Sequence, residues 1–205
     1  EAPRELALKD LRVAFAPTFP GVPAAPALRA AVEDLARRLA AAGARVDEAP
    51  LPKLDYQQEL AEAGALIGLM MGAFQPQPGG QPATLAQYLA ALHRRDQSIR
   101  AWEQFFAEYD LLLCPPAMLT AFPHTDTGAA LSVAGQPTDY WMVSAHTVLF
   151  NYTGHPAVGL PTMRDGAGLP VGVQLVGKRW GEARLLAAAK AISQLAGEFQ
   201  RPPGY

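Results

Sequence analysis

Residues 150 to 177, FNYTGHPAVGLPTMRDGAGLPVGVQLVG, constrain the fold more than any other part of the sequence. Six glycines and three prolines interrupt two apolar runs, AVGLPTMR and PVGVQLVG, that otherwise alternate as strands do. Glycine weakens a strand unless something must come close to its backbone. The pattern therefore predicts a two-strand hairpin across RDGAG, packed tightly by its surroundings. Gly159, Gly172 and Gly177 are expected at close approaches, and Gly166 and Gly168 at positive φ in the turn.

The rest of the chain predicts the layers around that hairpin. LRVAFAP from Leu11 alternates as a strand and ends at Pro17. Pro26 then falls in the first turn of a helix whose Leu28, Val32, Leu35 and Leu39 recur at helical spacing. Gly43 stands where a left-handed cap belongs, and ARVDEAP reads as a returning strand. Strand, helix and strand imply a right-handed parallel unit, so the fold class is α/β, with helices on both faces of a mixed sheet. The first turn has only Gly21 and lacks the glycine-rich pattern that cradles phosphate.

A helix is expected over residues 54–74, with Leu60, Ala63, Ile67, Met70 and Phe74 on one stripe. Met70 and Met71 read as core rather than as a plastic binding surface. A Gly79–Gly80 turn follows, then a Thr84–Gln87 capping box. The next helix presents Leu85, Leu89, Leu92, Ile99, Trp102, Phe106 and Tyr109 on one face. DLLLCPP is the pattern of a buried central strand. Residues 117–138 show no period and read as a long loop. YWMVSAHTVLFNYTG reads as a short helix ending at Gly154, and the last helix carries Leu185, Ala189, Ile192, Leu195 and Phe199.

Several function classes are disfavoured. The net charge is −2 and the basic residues are scattered, so no nucleic-acid footprint emerges. No apolar stretch reaches membrane length. The four histidines lack metal-ligand spacing, and neither a metal nor a cofactor is expected. Cys114 is the only cysteine, which suits a reducing compartment and a cytoplasmic location. Paired with a histidine, Cys114 could act as a nucleophile, but it closes a buried run, where a thiol is usually inert.

The stretch NYTGHPAVGLPTMRDGAGLPVGVQLVGKRWGEARLLAAA resembles the C-terminal end of the amidase signature family. N-x-x-G-x-P, then GLPVGVQLVG, then Glu182 before a helix carry the likeness, and YDLLLCPP and GARVDEAPLP extend it over nearly the whole chain. The resemblance includes hydrolases similar to the amide-cleaving component of glutamyl-tRNA amidotransferase. It implies amide hydrolysis by a serine nucleophile, a second serine in a cis peptide, and a lysine base. Those groups lie in a glycine- and serine-rich segment upstream of the matched part. Ser98, Ser132, Ser144 and Ser193 are never adjacent and never in such a setting, so no catalytic residue transfers to this chain.

Residues 1–205 are accordingly expected to be a single domain, the C-terminal portion of a longer amidase whose catalytic N-terminal half is absent. The chain begins at Glu1 rather than methionine, in keeping with that expectation. The resemblance implies that this portion supplies scaffold and pocket wall, with Tyr140, Trp141 and Ser144 as the wall candidates. Trp141 could equally be a core anchor. Asn151, Gly154, Pro156, Gly172 and Gln174 read as architecture, with Asn151 tying neighbouring backbone groups, or alternatively contacting substrate, and Gln174 satisfying buried groups. Expected partners are a small amide substrate, the chain's own N-terminal half and a possible homodimer. Substrates in the family range over free, peptide-like and fatty acid amides and glutamine. The alternative is a non-catalytic domain that binds a small molecule or a partner in the same pocket.

Overall fold

Alternation in the first strand decides the layering. In the computed structural model, which describes residues 6–48, 50–74, 82–197 and 201, β1 (Arg12–Phe15) points Val13 to one face and Ala14 to the other. β1 pairs in parallel with β2 (Arg45–Asp47) and β3 (Leu111–Cys114). β3 pairs antiparallel with β7 (Pro170–Gly177), and β7 with β6 (Ala157–Arg164). The five-strand order is β2-β1-β3-β7-β6, a mixed sheet with the expected hairpin at one edge.

Helices cover both faces. On the first, α1 (Pro26–Ala41) and α5 (Glu182–Ala196) pack against Val13, Leu111, Leu113, Val173 and Leu175. Pro26 presets φ at the first helical position, and Leu28, Val32, Leu35 and Leu39 are all buried. Gly43 turns the chain at φ +92° into β2. Asp110 locks this layer from the side: its carboxylate accepts from the Arg12 backbone N–H at 2.9 Å and from Arg184 at 3.1 Å. Burial opposes ionisation of Asp110, but those partners outweigh it and hold the carboxyl below its usual range.

On the second face lie α2 (Tyr56–Phe74), α3 (Leu85–Glu108) and α4 (Ala145–Thr153), over Ala14, Leu112, Cys114 and Val176. Trp102 of α3 sits at the centre, with ring contacts to Phe19, Tyr56, Phe105, Phe106 and Phe150. The Thr84–Gln87 capping box is present in full.

The glycines divide. A Cβ on Gly172 would lie 3.0 Å from the Leu160 carbonyl oxygen, and one on Gly177 would lie 3.3 Å from Leu185 Cβ, so the hairpin and α5 need these two bare. Gly168 adopts φ +80° in a turn closed by Asp165 Oδ1, which accepts from the Ala167 and Leu169 N–H groups. Gly166 stays outside the left-handed region, because one such residue suffices for this turn. Gly159 also departs from expectation: no described atom comes within 4 Å of its Cβ position, so that face of β6 is open.

Two helical stripes end early. Leu60, Ala63 and Leu66 of α2 are buried, but Ile67, Met70, Met71 and Phe74 are exposed, as are Leu85 and Leu89 of α3. Leu66 and Ala91 are the last buried positions, Leu69 is only partly covered, and the residues beyond them on these stripes are exposed. Met70 and Met71 are therefore surface residues, against the core expectation. The Gly79–Gly80 turn and Phe199 lie outside the described residues. The supposed loop of residues 117–138 holds a small hairpin, β4 (Leu131–Val133) with β5 (Gln136–Thr138), turned by Ala134 and Gly135 at positive φ. Strands of three residues, one containing Pro137, leave too little pattern to detect. Among the described residues no helix is long and apolar enough to cross a membrane.

Candidate functional site

β3 leaves the sheet through Pro115 and Pro116, and three hydrogen-bonding groups clasp that exit. Gln174 of β7, 4 % exposed, donates from Nε2 to Pro115 O at 2.9 Å and to His146 O at 3.4 Å. Thr147 of α4 donates from Oγ1 to Pro116 O at 2.6 Å. The Met118 N–H donates to Val143 O at 2.8 Å. The Pro115 and Pro116 carbonyls thus find side-chain partners beyond the end of β3, and the contact to His146 O ties the start of α4 to the same amide. Gln174 performs the expected backbone role; Thr147 completes the clasp and was not singled out from sequence, where an isolated threonine in a helix carries no signal.

Above the clasp, residues 140–144 form one 3₁₀ turn ahead of α4. Asp139 Oδ1 accepts from the Trp141 N–H at 2.8 Å and fixes its start. Trp141 is 67 % exposed, which excludes the core-anchor reading. Its ring meets Tyr140 edge-on at 5.3 Å, and Tyr140 meets Phe122 edge-on at 6.4 Å. Phe122 lies on the loop after β3, at a position the sequence pattern did not mark. Ser144 is exposed beside them and has no side-chain hydrogen bond among the described residues. Tyr140, Trp141 and Ser144 thus share one short turn, with Tyr140 half-buried and Trp141 and Ser144 exposed.

The architectural residues behave unevenly. Gly154 ends α4 in the left-handed conformation at φ +74°, its N–H donating to Phe150 O at 2.8 Å. Pro156 starts the hairpin by accepting from the Gly177 N–H at 2.9 Å. Asn151 is exposed and makes no side-chain hydrogen bond among the described residues, so it does not tie backbone groups. The left-handed glycine closes the helix without it.

No described serine is bonded to a lysine or histidine side chain. Ser98 is buried against Arg94 O, and Ser193 bonds Lys190 O. Cys114 is fully buried; desolvation pushes its thiol far above the usual range, against a smaller opposing effect of Gln174. Such a thiol is no nucleophile. Native protein is expected to resist iodoacetamide, with one adduct appearing by mass spectrometry only after unfolding in urea; rapid modification of the native chain would contradict this. Among the described residues no group of three His, Cys, Asp or Glu could hold a metal. A cavity of about 450 Å³ lies beyond the ends of β1 and β2, lined by Phe15, Thr18, Leu51, Lys53 and Tyr56, away from the aromatic face.

Comparison with known proteins agrees with the resemblance read from the motifs. Residues 77–186 match the family described as Amidase. The chain is 31% identical over 123 residues to a fatty acid amide hydrolase of Medicago truncatula, covering 60% of this chain and 20% of that protein. It is 32% identical over 132 residues to a glutamyl-tRNA(Gln) amidotransferase subunit from Lachnospira eligens, covering 64% and 26%. A bacterial aryl acylamidase of the amidase signature family superposes with a TM-score of 0.69 at 19% identity, over 92% of this chain and 44% of its own. The chain thus spans about a quarter of these curated relatives and under half of the solved structure.

Proposed function

This chain belongs to the amidase signature family, and from that premise we propose that it is the C-terminal portion of an enzyme hydrolysing linear amides, completed by its own N-terminal half. The observation that carries the proposal is the free side of β6. The Gly177 N–H to Pro156 carbonyl bond sets the phase of the hairpin. Ala157, Gly159 and Pro161 consequently turn their backbone groups away from β7. With Gly159 open as well, β6 offers an edge and a bare face to a further strand or loop.

In this reading the N-terminal half brings the serine nucleophile, the cis-peptide serine and the lysine base of the family. The serine adds to the amide carbonyl, the amine leaves with a proton returned through the second serine, and water releases the acid from the acyl-enzyme. The present chain contributes the wall: the β3 exit, the turn bearing Tyr140, Trp141 and Ser144, and the clasp that holds them in place. No metal or cofactor has a role in this scheme, and the single free thiol suits a cytoplasmic enzyme.

The test compares two proteins. The isolated 205-residue chain is expected to hydrolyse no amide, whereas the parent protein translated from further upstream hydrolyses at least one and loses that activity when its upstream nucleophile is changed to alanine. Turnover by the isolated chain, purified away from any amidase, overturns the proposal.

A homodimer fits the same reading. Between Glu62 and Arg94 the sequence has no Asp, Glu, Lys or Arg, and Ile67, Met71, Phe74 and Leu85 are exposed within that span. An uncharged apolar surface meets its own copy without like-charge repulsion. The doubly substituted M71K/F74K chain is expected to sediment as a monomer under conditions where the unaltered chain self-associates. Equal sedimentation of the two would remove this surface as the contact.

A further inference from the structure

We propose that the ladder Phe122–Tyr140–Trp141 is the recognition face for the group attached to the scissile amide, and that it selects neutral, flat, apolar substrates over anionic ones. The inference rests on the amidase reading and adds the substrate class to it.

Three observations carry it. The ladder is rigid as well as exposed. Asp139 fixes the start of the turn, and the Met118–Val143 bond joins the two stretches of chain that carry the rings. Beneath, Gln174 and Thr147 hold both segments to the sheet. A preorganised face loses little conformational freedom when a ligand lands on it. The rings present edges and faces together: Tyr140 stands at 83° to Trp141 and 86° to Phe122. A flat substituent stacked on Trp141 would therefore stand nearly perpendicular to Tyr140, an angle that suits the edge-to-face contact aromatic pairs favour.

Charge supplies the third observation. Between Arg100 and Arg164 the sequence has no lysine or arginine, and this span includes the β3 exit, the loop bearing Phe122, β4, β5 and the turn bearing Trp141. The acidic residues of those loops are Asp126 and Asp139. The loops that carry the rings bring a substrate carboxylate or phosphate no lysine or arginine of their own, only His124 and two like charges, so such a group would leave water with little in these loops to offset the cost. A neutral aryl or alkyl amide has no such charge to desolvate. Ser144 and the Tyr140 hydroxyl remain beside the rings as polar tips for an amide group, the mixture expected of a small-molecule site.

The experiment uses the parent enzyme with benzamide, acetamide and glutamine as probes. Benzamide is expected to exceed glutamine in kcat/KM by at least about tenfold. Trp141→Ala is expected to lower the benzamide-to-acetamide ratio of kcat/KM by about tenfold, the scale of one lost ring contact plus its burial. Trp141→Phe is expected to restore most of that ratio, and Trp180→Phe, at an exposed tryptophan off the ladder, to leave it unchanged. Preference for glutamine overturns the substrate class while leaving the amidase reading intact. An equal loss on benzamide and acetamide also overturns it, since that is what a face covered by the N-terminal half would give. Absence of all amide turnover defeats the amidase reading instead. The face is then decided by saturation-transfer NMR of benzamide on the isolated chain, where a signal abolished by Trp141→Ala supports the proposal and no signal overturns it.

Discussion

Replacing Trp102 by alanine is expected to cost about 4 kcal/mol, a large share of the 5–15 kcal/mol that holds a typical domain folded. Trp102 is 1 % exposed, and its ring touches Phe19 from the loop after β1, Tyr56 from α2, Phe150 from α4 and His155 ahead of β6. Each neighbour belongs to a different element, so the cavity cannot close by shifting one helix, and its cost stays near the upper part of the range. A urea titration is expected to show the midpoint falling by about 2 M at an unfolding slope of about 2 kcal/mol per molar. Trp102→Phe, which keeps ring contacts on most sides, is expected to recover more than half the loss. If Trp102→Ala shifts the midpoint by less than about 0.5 M, the aromatic cluster is not what seats α3 on the sheet.

Much of the fold could be read ahead of the structure, and the reasons are local. Leu28, Val32, Leu35 and Leu39 repeat with a helical period because one side of α1 faces β1 and β7 throughout. DLLLCPP reads as a central strand because β3 is buried on both faces and needs no alternation. Gly172 and Gly177 announce close approach because only a missing Cβ fits there. The same logic fails where a pattern continues past its partner. Ile67, Met70 and Phe74 keep the helical spacing of Leu60 and Ala63, yet the described body of the protein ends before it reaches them. Sequence period reports that a stripe exists, never what covers it.

The site was legible to a different depth. Tyr140, Trp141 and Ser144 came from resemblance, and Trp141 stood equally well as a core anchor until its exposure was known. Thr147 and Phe122 left no mark, since one hydroxyl aimed at Pro116 O and one ring on an aperiodic loop make no repeating pattern. Gln174 was easier: a long amide in the middle of an apolar strand demands backbone partners, and it has two.

Mild acid is expected to weaken this fold before its carboxylates are neutral, and His146 is the main reason. The ring is completely buried beside Phe19, at 5.3 Å between centroids, and neither nitrogen has a partner among the described residues. Burial disfavours the charged form and pushes His146 down to about 4 from an unfolded value of 6.5. A folded pKa below the unfolded one means the unfolded chain binds the proton first. The full stability is therefore present above pH 6.5 and is lost as pH falls from there towards 4, at up to about 1.4 kcal/mol per pH unit for one proton and about 3 kcal/mol in all. His155 is pushed down to about 4 as well, by burial and then by the Arg179 guanidinium, and adds loss in the same window. Glu59 works the other way: desolvation raises its carboxyl, so its protonation favours the fold as pH falls. Asp110, held low by Arg12 and Arg184 against its burial, contributes in full above its ordinary value of 3.8 and loses that contribution only below it, as pH falls through the depressed value. Urea titrations between pH 7.5 and 4.5 are expected to show stability falling by several kcal/mol, with His146→Leu removing about half of that slope while leaving stability at pH 7.5 within about 1 kcal/mol of the parent chain. Identical slopes in the two chains would mean that His146 takes up its proton without unfolding anything, and the unpartnered ring would need another explanation.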